Sequence, residues 1–153
     1  MALQIWVGST YDATWELAHG LAQALALQGT EVELHRLQEA PLDAALTAGA
    51  TVLMLTSSHG QGELPESAMP FLHQLQAAPR YLGALRYGLI GVGDSSYAHF
   101  CGGALQLDAA LLDLGAQRLG DAFCFDEQSA DDKMWAVTEW TLAWVEAHVG
   151  AAA

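Results

Sequence analysis

Residues 91–103, reading GVGDSSYAHFCGG, gather more side chains able to hold a ligand than any other stretch of the chain. Gly91 and Gly93 permit a tight turn, Asp94 offers acceptor oxygens to loop amides or a ligand N–H, and Tyr97, His99 and Phe100 crowd three rings into the same corner. The apolar run Tyr87–Ile90 comes before this segment and a periodic helical pattern after it. It therefore sits at a strand-to-helix corner, and in an open α/β sheet such corners lie at the carboxyl ends of strands, where ligands bind. A turn that only reversed the chain would not call for those three rings together. A planar ligand stacked on Tyr97 would use them.

Two other segments carry compatible chemistry. Residues 8–14 read GSTYDAT, and hydroxyls with free N–H groups at a helix start can hold an anion without Lys or Arg. The candidates are Ser9, Thr10, Tyr11, Asp12, Ala13 and Thr14; an ordinary Ser/Thr/Asp helix cap accounts for the same residues. The segment lacks the GxxxxGK[ST] spacing that would supply a lysine and a magnesium-binding hydroxyl. Residues 57–65 read SSHGQGELP. Gly60 and Gly62 around Gln61 let backbone approach a ligand or flip a peptide, His59 can lie over a ring, and Ser57 and Ser58 add hydroxyls. A flexible turn with a surface histidine is the plainer account of that loop.

These segments need a frame. Leu3–Val7 reads as a buried strand, and residues 13–28 repeat Trp15, Leu17, Ala18, Leu21, Ala22 and Leu25 near helical spacing, with Gly29 at the stop. Residues 31–37 alternate as an edge strand would, 42–48 form a short helix, and Thr51–Thr56 is a central strand. Pro65 suits the first turn of a helix through Leu75. A strand over 87–92, a helix over 102–114, a fifth strand over 117–125 and a helix over 131–149 complete the pattern. Five strand–helix units predict a doubly wound five-stranded parallel sheet, order 2-1-3-4-5, with helices on both faces. In that order the loops after the first, third and fourth strands meet at one rim. Residues 1–149 are expected to form one domain, with 150–153 a frayed tail. Trp135, Trp140 and Trp144 are expected to serve packing.

The chain has 153 residues, 5 Lys+Arg against 18 Asp+Glu, and a formal net charge of −13. That balance disfavours nucleic acids and anionic membranes, whose phosphates demand a basic surface. It suits solubility or steering toward a basic protein. Hydrophobic residues make up 52% of the chain, yet no apolar run approaches the roughly 20 residues of a membrane span. The start, Met1-Ala2-Leu3-Gln4, lacks the basic region of a signal peptide, so a cytoplasmic location is expected. Cys101 and Cys124 read as two isolated thiols in a reducing compartment, and no Cys/His set has metal spacing.

At TSSHGQGELPES, GVGDSSYAHFCGG and the continuation LDAALLDLGAQRLG, the chain resembles the flavodoxin-like family, nearest its small MioC-type members and the FMN domains of cytochrome P-450 reductase and sulfite reductase. No inserted segment splits the fifth strand, so the resemblance is to the short-chain type. It implies that Ser9, Thr10, Ala13 and Thr14 surround the FMN phosphate. Ser57, Ser58, His59, Gly60 and Gly62 would run along the isoalloxazine, with His59 covering one face. Tyr97 would stack on the ring, and Gly93, Asp94, His99, Phe100 and Cys101 would complete the pocket. Asp126 would reach toward the ribityl chain.

Two departures stand out. Tyr11 and Asp12 occupy positions where the family favours Ser or Thr and Gly. Like charges about 5 Å apart at an effective dielectric of about 20 cost roughly 3 kcal/mol, so Asp12 is expected to weaken phosphate binding unless it points to solvent. The resemblance implies an electron carrier rather than an enzyme, passing one electron at a time between a reductase and a partner redox enzyme. A peptide flip at Gly60 would turn a carbonyl toward the flavin N5. Redox partners with basic docking surfaces and a monomeric state are expected. The alternatives are a binding or regulatory module with weak or lost FMN binding, and a flavin-dependent quinone reductase.

Overall fold

The computed structural model describes residues 2–9, 12–58 and 62–149. Strands β1 (Leu3–Gly8), β2 (Val32–Arg36), β3 (Thr51–Ser57) and β4 (Arg86–Gly93) alternate with helices α1 (Asp12–Leu27), α2 (Leu42–Ala48), α3 (Met69–Ala77) and α4 (Gly102–Asp113). Two short strands, β5 (Gln117–Arg118) and β6 (Phe123–Asp126), precede the last helix, α5 (Lys133–His148). All pairings are parallel and the order is β2-β1-β3-β4-β5, with β6 also on β4. The expected order therefore holds.

The apolar strands feed two cores because successive side chains point to opposite faces. Leu3, Ile5, Val7, Leu53, Leu55, Ile90 and Val92 pack under Leu17, Leu21 and Leu25 of α1 and Val137 and Val145 of α5. Trp6, Val52, Met54, Tyr87 and Leu89 pack on the other side under Phe71, Leu72 and Leu75 of α3 and Ala104, Leu107 and Leu111 of α4. On the far side of the fourth unit, the Tyr87 hydroxyl donates to Asp108 Oδ1 at 2.6 Å and Arg118 Nη1 donates to Asp108 Oδ2 at 2.5 Å. This set, buried at Tyr87 and Asp108 and half-buried at Arg118, ties α4 to β4 and β5. Burial, then the hydrogen bond to Asp108, pushes the Tyr87 phenol upward.

Three expectations are corrected. The fifth strand is broken at 119–122, where Gly120 takes φ +77° and Trp144 Nε1 donates to the Leu119 carbonyl at 2.9 Å. Helix α3 begins at Met69 with a proline in its first turn, because Pro65 opens a separate 3-10 turn over Glu66–Ala68. Trp144 is buried and Trp140 stacks between it and Phe123, but Trp135 is 62% exposed and packs into no core. No helix among the described residues is long and apolar enough to cross a membrane.

Candidate functional site

Strand register brings the carboxyl ends to one rim. Gly8 lies beside Thr56, Ser57 beside Val92, and Gly93 beside Asp126. The first loop leaves β1 at Ser9, which is buried and whose carbonyl accepts from Ser67 Oγ at 2.6 Å. Helix α1 then starts at Asp12, with Asp12 and Ala13 exposed and Thr14 buried. The N–H groups of a first helical turn have no partner within the helix, so this corner offers donors and a hydroxyl without a cation. Exposure of Asp12 gives its carboxylate access to solvent, which screens it. Thr10 and Tyr11 lie outside the described residues.

The second and third loops interlock. The Ser58 N–H donates to the Val92 carbonyl at 2.8 Å, and its Oγ accepts from the Gly103 N–H at 3.2 Å. Gly62 adopts φ +98°, and a Cβ there would lie 1.9 Å from the His99 carbonyl oxygen. A Cβ on Gly103 would lie 2.5 Å from the Leu64 nitrogen. Only glycine lets the two backbones approach so closely. His59, Gly60 and Gln61, the proposed ring-covering and flipping residues, lie outside the described residues.

The third loop is held by carboxylates. Asp94 Oδ1 accepts from the Ser96 N–H at 2.9 Å and the Ser96 hydroxyl at 2.5 Å, and Oδ2 accepts from Gln128 Nε2 at 3.0 Å. Asp126 Oδ1 accepts from the N–H groups of Ser95 and Gln128 at 3.0 and 2.9 Å. Hydrogen bonds from Ser96, side chain first, hold the Asp94 carboxyl below its ordinary range. Those from Ser95 and Gln128 do the same for Asp126. Between these anchors the Tyr97 N–H donates to the Asp94 carbonyl at 3.1 Å, and its ring is left 51% exposed. His99 is exposed, Phe100 half-buried and Cys101 buried. Asp126, assigned by resemblance to the ribityl chain, thus has one oxygen committed to the loop.

Gln128, Glu127 and Ser67 escaped the sequence reading. The Glu127 N–H donates to the Gly93 carbonyl at 2.8 Å, so the loop after β6 braces the one after β4. Its position past the end of the fifth strand was the available signal. The two cysteines are also not isolated. Both sulfurs lie beside Gly91, at 2.9 and 3.6 Å from where its Cβ would be. The Cys124 neighbour and burial push the Cys101 thiol upward, and the Cys101 neighbour holds Cys124 below its ordinary range against the opposing effect of burial. Among the described residues no group of three or more His, Cys, Asp or Glu could hold a metal ion.

A doubly wound sheet with hydroxyl, glycine and tyrosine loops converging at the β1/β3 switch point is the frame of a mononucleotide-binding protein. Comparison with known proteins identifies which kind. The flavodoxin family model matches residues 5–140. The chain is 37% identical to Flavodoxin YqcA of Pectobacterium carotovorum over 143 residues, covering 93% of each protein. It is 34% identical to Protein MioC of Escherichia coli over 139 residues, 90% of this chain and 92% of that protein. A solved cysteine-to-serine mutant of flavodoxin from Pseudomonas aeruginosa superposes with a TM-score of 0.81 at 27% identity, covering 98% of this chain and 100% of that one. The chain belongs to the flavodoxin family, and it is an FMN-binding electron-transfer protein. The residues present fit FMN: a cation-free helix start with the buried Thr14 hydroxyl suits a phosphate, and an exposed tyrosine on a braced loop suits a planar ring.

Proposed function

We propose that this flavodoxin carries electrons singly between a reductase and a redox enzyme and performs no substrate chemistry of its own. FMN, when bound, supplies the electron chemistry; the chain supplies binding, orientation and electrostatics. Ser9, Thr10, Tyr11, Asp12, Ala13 and Thr14 form the phosphate end. Ser57, Ser58, His59, Gly60, Gln61 and Gly62, together with Gly93, Asp94, Tyr97, His99, Phe100 and Cys101, form the ring end. The observation that carries this reading is the half-exposed Tyr97 ring on a turn braced by Asp94 and Asp126. A ring carried on a braced backbone turn and left uncovered is ready to stack.

The partners are basic proteins of the cytoplasm, met by a monomer. Support comes from the −13 charge and from exposed acids near the strand ends: Asp12, Glu63, Glu66, Glu127, Asp131 and Asp132. Complementary charge accelerates encounter and is screened by salt. The test is stopped-flow reduction of the FMN-loaded protein by an NADPH-dependent flavoprotein reductase, across ionic strengths. The second-order rate constant is expected to fall steeply between low and physiological salt. A rate independent of salt contradicts acidic steering, and consumption of NADPH by the flavodoxin alone contradicts the carrier role.

A further inference from the structure

Cys101 and Cys124 are far apart in sequence but meet over Gly91. Cys124 is the β6 residue in register with Gly91 on β4, and Cys101 caps the start of α4 from the same side. A Cβ on Gly91 would lie 2.9 Å from Cys101 Sγ and 3.6 Å from Cys124 Sγ. The missing side chain thus makes room for both sulfurs. Both thiols are free. Cys101 is buried and Cys124 half-buried, so a small oxidant has its access at Cys124.

We propose that Cys101 and Cys124 are a dithiol site that closes to an intramolecular disulfide on reaction with hydrogen peroxide, and that closure reshapes the turn carrying Tyr97. The adjacent Cys101 thiol holds Cys124 below its ordinary range, which favours its thiolate, the nucleophilic form. In the first step this thiolate attacks one peroxide oxygen, the O–O bond breaks, and hydroxide leaves, so that Cys124 becomes a sulfenic acid. The Cys101 sulfur then attacks the Cys124 sulfur. An S–S bond forms, the S–O bond breaks, and the departing hydroxide takes the Cys101 proton as water. Two thiols lose two electrons and one peroxide becomes two waters. Closure needs an S–S distance of about 2.05 Å. Strand β6 is held on β4 by its ladder, so the movement falls on Cys101. Cys101 is also the described non-glycine residue with positive φ, at +57°, and it terminates the 94–100 turn. The second half of the proposal rests on the FMN reading; the first does not.

The full chain, with and without FMN, is treated with a slight excess of hydrogen peroxide, denatured with an alkylating agent and digested with trypsin. Cleavage after Arg86, Arg118 and Lys133 puts Cys101 in the peptide 87–118 and Cys124 in 119–133. The expected result is those two peptides joined, with the loss of two hydrogens, and separated again by dithiothreitol. Cys101→Ser is expected to leave Cys124 as a trappable sulfenic acid, and Cys124→Ser to leave Cys101 unreacted. If either variant fails to fold, as judged by circular dichroism, the wild-type map still decides. Persistence of both thiols, over-oxidation of Cys124 without linkage, or linkage only between molecules overturns the site. FMN titration of the oxidised form is expected to show about tenfold weaker binding, the scale of an ordinary coupling between sites. An unchanged affinity with the bond formed overturns the coupling to the turn and leaves the FMN reading intact.

Discussion

Gly62→Ala is the sharpest perturbation of the interlock between the second and third loops. At φ +98° an L side chain carries backbone strain of about 1–2 kcal/mol. The added Cβ would also sit 1.9 Å from the His99 carbonyl oxygen and 2.8 Å from its carbon, where an ordinary contact begins near 3.4 Å. Backbone atoms cannot rotate aside, so one loop must move, and overpacking of that kind adds about 1–3 kcal/mol. The summed loss of stability is about 2–5 kcal/mol. Gly29→Ala supplies the comparison, since Gly29 has φ +88° and nothing lies within 4 Å of the position its Cβ would take. It should show the strain alone. Urea unfolding followed by tryptophan fluorescence reads both stabilities, and FMN titration reads the site. Gly62→Ala is expected to be the less stable by at least about 1 kcal/mol, on the scale of overpacking, and to bind FMN about tenfold more weakly or worse. Gly29→Ala should bind FMN normally. Equal losses of stability and unchanged FMN affinity in both variants would refute the interlock.

Other consequences follow from the same geometry. Tyr97→Ala removes a ring already 51% exposed, so unfolding stability should change by less than about 0.5 kcal/mol, while FMN affinity falls about tenfold through lost stacking; isothermal titration and thermal melts separate the two. The Asp94 and Asp126 carboxyls are held below their ordinary range by hydrogen bonds to the folded turn. A depressed folded value means their contribution is present above about pH 4, the unfolded carboxylate range, and is lost as pH falls through the folded values. Protection of the Ser95 and Ser96 amides against hydrogen exchange should therefore fall on acidification, and Asp126→Asn should abolish much of that dependence at Ser95. Arg118→Met leaves Asp108 buried without its guanidinium and should lower stability by about 3–5 kcal/mol in urea unfolding, whereas a double change with Asp108→Leu should recover part of it.

The frame was readable because its signals are local. Val52–Leu55 and Leu89–Val92 are continuous apolar runs, as strands buried on both faces must be, and Gly29, Gly49 and Gly115 mark helix ends with positive φ. The break in the fifth strand also had a local mark in Gly120, whose φ is +77°. The side chains of the site were legible by type, since Ser58, Asp94 and Tyr97 stand at strand ends. Their connections were not. The Ser58–Gly103, Ser67–Ser9 and Gln128–Asp94 hydrogen bonds join residues distant in sequence, and only the parallel register brings them together. The same holds for Cys101 and Cys124, which look unrelated until β6 lies against β4.

The proposed site holds FMN by both its ring and its phosphate. Flavin fluorescence titration of the purified protein with FMN, repeated with riboflavin, tests it directly. Saturable one-to-one quenching is expected with FMN, and at least tenfold weaker binding with riboflavin, about 1.4 kcal/mol for the phosphate corner formed by Ser9 and the start of α1. Equal affinity for the two would contradict the phosphate site, and the absence of quenching by either would contradict the FMN-binding account altogether.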